Sequence, residues 1–223
     1  MKHEKPMCQS NINKALSYAK NVKCVFEIGA YDGVDIDEIE TLLGPSCSIH
    51  AFEPDFESFS ILKTLYGDKQ NIILNQIAIS NIKGTTKFIK CLDPKVTNQA
   101  DRSLWYKTNQ SLRHNTDFHR MDAVEQEYDV NVTTLDDYCR QNSICPDILL
   151  VDTQGSEWEI FDGSKSILTK VQVILTEWST KELYQNQKML PDIVTLLQKY
   201  GFTLKEKINL WDDFHGDAIF VKE

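Results

Sequence analysis

The run Val25-Phe26-Glu27-Ile28-Gly29-Ala30-Tyr31-Asp32-Gly33 leads an apolar stretch into a turn with two glycines, and a second apolar stretch over 48–52 ends at Glu53. No other feature restricts the fold as much. Five or six apolar residues turned by glycine into an amphipathic segment read as the first strand–helix unit of a parallel sheet. Such sheets collect ligands beyond the carboxyl ends of their strands. Glycines there let a ligand approach the backbone, and an acid about 20 residues later can accept both hydroxyls of a ribose.

The spacing does not suit a pyrophosphate. A dinucleotide fingerprint needs G-x-G-x-x-G, whereas Ala30, Tyr31 and Asp32 separate Gly29 from Gly33, and Asp32 would repel phosphate. Glu27 and Asp32 favour a cation instead. S-adenosylmethionine, with an ammonium, a sulfonium and a ribose diol but no phosphate, meets those requirements. The plain alternative is an ordinary strand-to-helix turn with a strand-end acid, and Glu53 is what tips the pattern toward a ligand site.

Elsewhere strands and helices alternate. Ser10 is placed to cap a helix reaching Lys20, with Ile12, Ala15, Leu16 and Ala19 at helical spacing. The pattern predicts strands over 22–28, 48–52, 71–78, 147–152 and 171–177, and a strand over 85–90 returning beside the third. Helices are predicted over 34–43, 56–66 (capped by Asp55), 136–141, 154–161 and 190–200. A closing pair of strands lies over 202–208 and 218–221. Segment 91–131 is polar and without sustained period, and reads as a variable lid with short helical pieces. The expectation is an α/β protein with helices on both faces, in one domain over 1–223 whose residues 1–21 form an N-terminal helix.

Composition narrows the partners. Thirty-three acids against 24 Lys and Arg give a net charge of −9, which argues against nonspecific nucleic-acid binding. Six cysteines without a C-x-x-C pair read as buried thiols. Residues 1–13 are polar, and no run reaches the length of a membrane span, so a cytoplasmic protein is expected.

Four predicted strand ends carry an acid: Glu27, Glu53, Asp152 and Glu177. On one edge of a parallel sheet, a polar cleft explains them better than chance capping. Gln76, Ile77 and Ala78, at the end of the third strand, are candidates for the adenine ring, with simple strand packing as the alternative.

Together Val-Phe-Glu-Ile-Gly-Ala-Tyr-Asp-Gly (25–33), Ala-Phe-Glu-Pro (51–54), Val-Thr-Thr-Leu-Asp-Asp-Tyr (132–138) and Leu-Leu-Val-Asp-Thr-Gln-Gly-Ser-Glu (149–157) resemble the FkbM-type methyltransferases over most of 22–177. The last two motifs are the more specific to that family. The resemblance implies a Rossmann-like class I methyltransferase, with a mostly parallel seven-stranded sheet and an antiparallel closing strand. It implies S-adenosylmethionine as cofactor and O-methylation of a sugar, glycan or glycosylated natural product. By motif, Glu27 and Gly29 would approach the methionine moiety, with Tyr31, Asp32 and Gly33 completing the loop and Asp152 also at the cofactor, and Glu53 would hold the ribose hydroxyls.

A sugar hydroxyl needs a base, or a metal that lowers its pKa. Asp152, ending the fourth strand, is the leading candidate, with Glu177, Glu157 and His114 as alternatives. Glu157 could equally cap Thr153, and His114 and His119 could equally be loop histidines. Asp152 and Glu177 could share magnesium, but two carboxylates make an incomplete site, so metal independence is favoured. Arg102, Leu104, Trp105, Tyr106, Arg113 and Arg120 suit a carbohydrate cleft, with a lid that folds its aromatics, Trp105 first, onto the core as the alternative; Trp178 is placed to border the acceptor, and 211–214 reads as a hairpin tip. The competing readings are an NAD(P)-dependent oxidoreductase using Tyr184 and Lys188, and a noncatalytic nucleotide-binding module that recruits a partner.

Overall fold

A computed structural model describes residues 8–95, 109–116, 123–210 and 213–223. In chain order the elements are α1 (Cys8–Ser17), β1 (Cys24–Ile28), α2 (Val34–Leu43), β2 (Ser48–Phe52), α3 (Phe56–Tyr66), β3 (Ile72–Asn75), β4 (Ala78–Ile79), β5 (Gly84–Leu92) and β6 (Val124–Thr133). There follow α4 (Leu135–Asn142), β7 (Ile148–Val151), α5 (Glu157–Asp162), β8 (Val173–Ser179), α6 (Leu190–Gln198), β9 (Phe202–Asn209) and β10 (His215–Lys222). Local chemistry sets several helix starts. The Asp55 carboxylate accepts from Ser58 N at 2.9 Å to open α3, and Thr134 Oγ1 accepts from Asp137 N at 3.1 Å to open α4.

Seven strands form the main sheet in the order β3-β2-β1-β7-β8-β10-β9. Neighbours from β3 to β8 are parallel, and β10 is antiparallel to both β8 and β9. The order reverses between β1 and β7, and a crevice opens at such a switch point. Period-two alternation sends Val25, Ile49, Ile148, Leu150 and Leu175 to one face with Ile12, Ile36, Ile39 and Leu62 of α1–α3. The opposite face carries Phe26, Phe52, Leu149, Val151 and Ile174 against Leu135, Ile160, Phe161, Ile193 and Leu197 of α4–α6. Both faces are thus covered, which is why the central strands are continuously apolar.

The expected 71–78 strand is in fact two. β3 ends at Asn75, and Ala78 and Ile79 join a separate three-stranded sheet in the order β4-β6-β5. The return strand therefore does not lie beside β3. β5 pairs antiparallel with β6 from Gly84↔Val132 to Leu92↔Val124. This also corrects the lid: β6 takes up 124–131, about the last fifth of 91–131, as regular strand. Tyr128, Val130 and Val132 alternate with Asp129, Asn131 and Thr133, but Glu125, Gln126 and Glu127 dilute the pattern upstream. Other boundaries shift modestly: α1 ends at Ser17, before Lys20, and β8 runs two residues beyond Glu177.

Candidate functional site

The glycine loop after β1 is held by its neighbours on both sides. Gly29 N and Ala30 N donate to Phe52 O at 3.0 and 3.1 Å, and Asp152 N donates to Ile28 O at 2.9 Å. Gly29 has φ +90, and a Cβ there would fall 1.8 Å from Asp152 O. Only glycine fits, because β7 presses its backbone against the loop. Tyr31 follows in a left-handed conformation (φ 47), which aims its N–H at Glu53 Oε2, 2.9 Å away. Asp32 is buried, its Oδ1 3.4 Å from Val34 N, and Gly33 (φ 79) packs under the Tyr66 ring, whose hydroxyl donates to Gly33 O at 2.7 Å.

Glu53 thus sits at the end of β2 with one oxygen on Tyr31 N and the other 2.7 Å from Asp55 N. Burial pushes its carboxyl up to about 8 against the pull of those amides. Asp55 is itself held by Lys90 of β5 at 2.9 Å and by the Tyr128 hydroxyl of β6, so the small sheet braces the Glu53 corner. Gln76 and Ile77 form the link between the two sheets, Gln76 exposed and Ile77 half-buried, and Ala78 begins β4.

At the switch point a cleft is lined by Glu27, Gly29, Asp35, Asp152, Thr176 and Asp217 over a floor of Ile12, Leu150 and Leu175. Four of these carry carboxylates, and no lysine or arginine is among the described lining residues. Asn11 of α1 donates to Asp217 at 2.8 Å, fastening the first helix to this edge.

Beside the cleft, Asp152 and Glu177 are joined by one side chain. Gln154 Nε2 lies 2.7 Å from Asp152 Oδ1 and 3.1 Å from Glu177 Oε2, and the Tyr184 hydroxyl meets Gln154 Oε1. Tyr184 is buried and held well above the usual phenol range, first by burial and then by the charges of Glu177, Glu157 and Asp152. Glu157 faces inward but serves the turn before α5. Its Oε1 accepts from Thr153 N, Thr153 Oγ1 and Gly155 N at 3.0–3.1 Å. Burial raises its carboxyl even so.

His114 lies on the β6 side, its Nδ1 2.7 Å from Glu125 and its Nε2 3.3 Å from Glu127. Arg113 is committed to Glu159 and to Gln185 O. Trp178 is corrected: it is 2% exposed in the core and donates to Asp217 O at 3.0 Å. Alternation puts it on the face opposite Glu177, away from the cleft. Arg102, Leu104, Trp105, Tyr106, His119, Arg120, Trp211 and Asp212 lie outside the described residues.

Tyr184 and Lys188 do not form an oxidoreductase pair as placed. The Tyr184 hydroxyl is taken by Gln154 and Asn109, while the Lys188 ammonium sits 5.8 Å from the Trp158 ring centroid. Among the described residues no group of three or more His, Cys, Asp or Glu is arranged to hold a metal. Sequence reasoning missed Asn11, Asp35, Asn109, Gln154 and Asp217. Gln154 was within reach, since it follows Asp152 in a quoted motif; the others depend on long-range pairing.

A family model described as the methyltransferase FkbM domain matches residues 27–204. The 2-O-methyltransferase NoeI of Sinorhizobium fredii is 28% identical over 179 residues, covering 79% of this chain and 71% of the relative. Magnesium protoporphyrin IX methyltransferase from Synechocystis, solved with bound SAM, superposes with a TM-score of 0.51 at 7% identity over 100% of this chain and 87% of that one. A SAM-dependent O-methyltransferase from Thermotoga maritima gives a TM-score of 0.51 at 12% identity over 100% and 67%. These likenesses identify the fold as that of the class I methyltransferases.

Proposed function

The chain belongs to the FkbM methyltransferase family, and from that premise we propose that it methylates a hydroxyl of a sugar, glycan or glycosylated natural product, using S-adenosylmethionine. One observation carries the cofactor reading. The switch-point cleft beside the glycine loop offers carboxylates and no basic residue among its described lining, and Glu53 stands on the adjacent strand. That donor set fits a cationic nucleoside and opposes a pyrophosphate. Bound S-adenosylmethionine supplies an electrophilic methyl group on a sulfonium.

In this reading Glu27, Gly29, Tyr31, Asp32 and Gly33 hold the methionine moiety. Glu53 holds the ribose: each of its oxygens accepts one backbone amide, and its remaining hydrogen-bonding sites are left for the hydroxyls. Gln76, Ile77 and Ala78 border the adenine. Asp152, pressed against the glycine loop, takes the proton of the acceptor hydroxyl. Glu177 supports it through Gln154. Glu157 orders the turn, and His114 is held between Glu125 on Nδ1 and Glu127 on Nε2. The name of the relative specifies O-methylation, which supports a hydroxyl as acceptor. No nucleic acid is expected, given the net charge of −9, and no helix among the described residues is long and apolar enough to cross a membrane.

The test is calorimetric titration with S-adenosylhomocysteine of wild type and Glu53→Ala, followed by labelled-methyl transfer to a panel of sugars and glycans. Losing the two hydrogen bonds to the ribose hydroxyls should weaken binding roughly ten- to a hundredfold. No binding by the wild type refutes the reading.

A further inference from the structure

Asp152 and Glu177 stand one step beyond the Val151↔Thr176 register pair of two neighbouring parallel strands. Like charges so placed repel unless a donor stands between them. Gln154 is that donor. Its single NH2 group faces Asp152 Oδ1 at 2.7 Å and Glu177 Oε2 at 3.1 Å, one hydrogen for each carboxylate. The orientation is forced, because turning the amide over would set its carbonyl oxygen against two carboxylates. Tyr184 fixes the same orientation from behind, its hydroxyl against Gln154 Oε1 and 3.0 Å from the Asn109 side-chain amide.

The backbone is bent to deliver this contact. Gln154 is left-handed at φ 57, and Gly155 follows at φ 99, where a Cβ would fall 2.6 Å from the Tyr184 ring. The ring that clamps Gln154 therefore also restricts position 155 to glycine. Ser111 Oγ donates to Gln154 O at 2.6 Å, tying the strained residue to the segment that bridges antiparallel to β5 at Ile89.

Two carboxylates converging on one point are the start of a divalent-cation site, which oxygen ligands complete. Here an amide occupies that point with two partially positive hydrogens. We propose that Gln154 is a positioning residue that takes the place of a divalent cation between Asp152 and Glu177, so that the site works without metal. The catalytic meaning rests on the methyl-transfer reading above, whereas the bridge itself does not.

The test is MnCl2 titration, by calorimetry and electron paramagnetic resonance, of wild type, Gln154→Glu and Gln154→Ala, with S-adenosylhomocysteine titrated into wild type in parallel. Gln154→Glu is nearly isosteric and makes a third carboxylate, so Mn2+ should bind at least about tenfold more tightly than to wild type. Gln154→Ala, which only removes the bridging amide, should show a smaller gain, and it carries the test alone if Gln154→Glu fails to fold. An amide with a merely structural role leaves Mn2+ affinity unchanged in the folded variants, and that result overturns the proposal. So does wild type binding Mn2+ as tightly as the variants. With an acceptor in hand, wild-type turnover should be equal in EDTA and in magnesium, and metal-dependent turnover overturns it as well. Failure of wild type to bind S-adenosylhomocysteine counts against the methyl-transfer reading alone, since the Mn2+ comparison stands without it.

Discussion

Replacing Gly29 by alanine tests whether the glycine loop is shaped by contact with β7 or only by its own conformation. The new Cβ would lie 1.8 Å from Asp152 O and 2.9 Å from its carbonyl carbon, both backbone atoms that no rotamer change can move. The hydrogen bonds Asp152 N to Ile28 O and Gly29 N to Phe52 O pin both sides, so relief requires β1 and β7 to part. Holding a non-glycine residue at φ +90 costs about 1–3 kcal/mol. Overpacking adds about 1–3 kcal/mol. The sum, about 2–6 kcal/mol, is a large share of the roughly 5–15 kcal/mol that stabilises a domain. At about 2–4 °C per kcal/mol for a chain of this size, the melting temperature should fall by about 4–24 °C. Gly201→Ala is the control, since it too has positive φ (+83) but nothing within 4 Å of the added carbon. Scanning calorimetry on both variants separates the two contributions. If Gly29→Ala melts within about 2 °C of Gly201→Ala, the contact argument is wrong.

Three further outcomes are expected. Lys90→Met should destabilise the protein by about 3–5 kcal/mol in urea, because it leaves the buried Asp55 carboxylate without its cation; a loss below about 1 kcal/mol would assign the pair to surface-like behaviour. Folded Glu53, raised by burial to about 8, keeps a proton that the unfolded chain releases near 4.5. Stability should therefore fall as pH rises through that window, and Glu53→Gln should flatten the decline in urea midpoints between pH 5 and 8; an unchanged slope counts against Glu53 as its source. Asp152→Asn should lower turnover at least about a hundredfold while S-adenosylhomocysteine affinity stays near wild type, and equal loss of both would remove Asp152 from the base role.

Local signals located much of this fold. α2, β2 and α3 fall where the sequence predicts them, because Gly44-Pro45, Pro54 and the Asp55 cap act on their immediate neighbours. Signals that depend on a distant partner did worse. The chain over 71–78 reads as one isoleucine-rich stretch, and only pairing shows that Ala78 leaves the main sheet for β6. β6 itself has a period-two pattern, weakened by three polar residues whose partners lie across on β5. Trp178 follows Glu177 in the chain yet faces the other way, because the strand continues and alternation carries it into the core.

The candidate site divides along the same line. The glycine spacing and the acids Glu27, Glu53, Asp152 and Glu177 are sequence facts, and strand polarity alone places them on one edge. From them the sequence by itself determined the fold class. Only the tertiary structure decided the long-range contacts: Glu53 on the amide of Tyr31, and Glu177 joined to Asp152 through Gln154. Periodicity and capping are short-range and survive in the chain as pattern. Hydrogen-bond partners more than 20 residues apart are selected by packing, which no local pattern records.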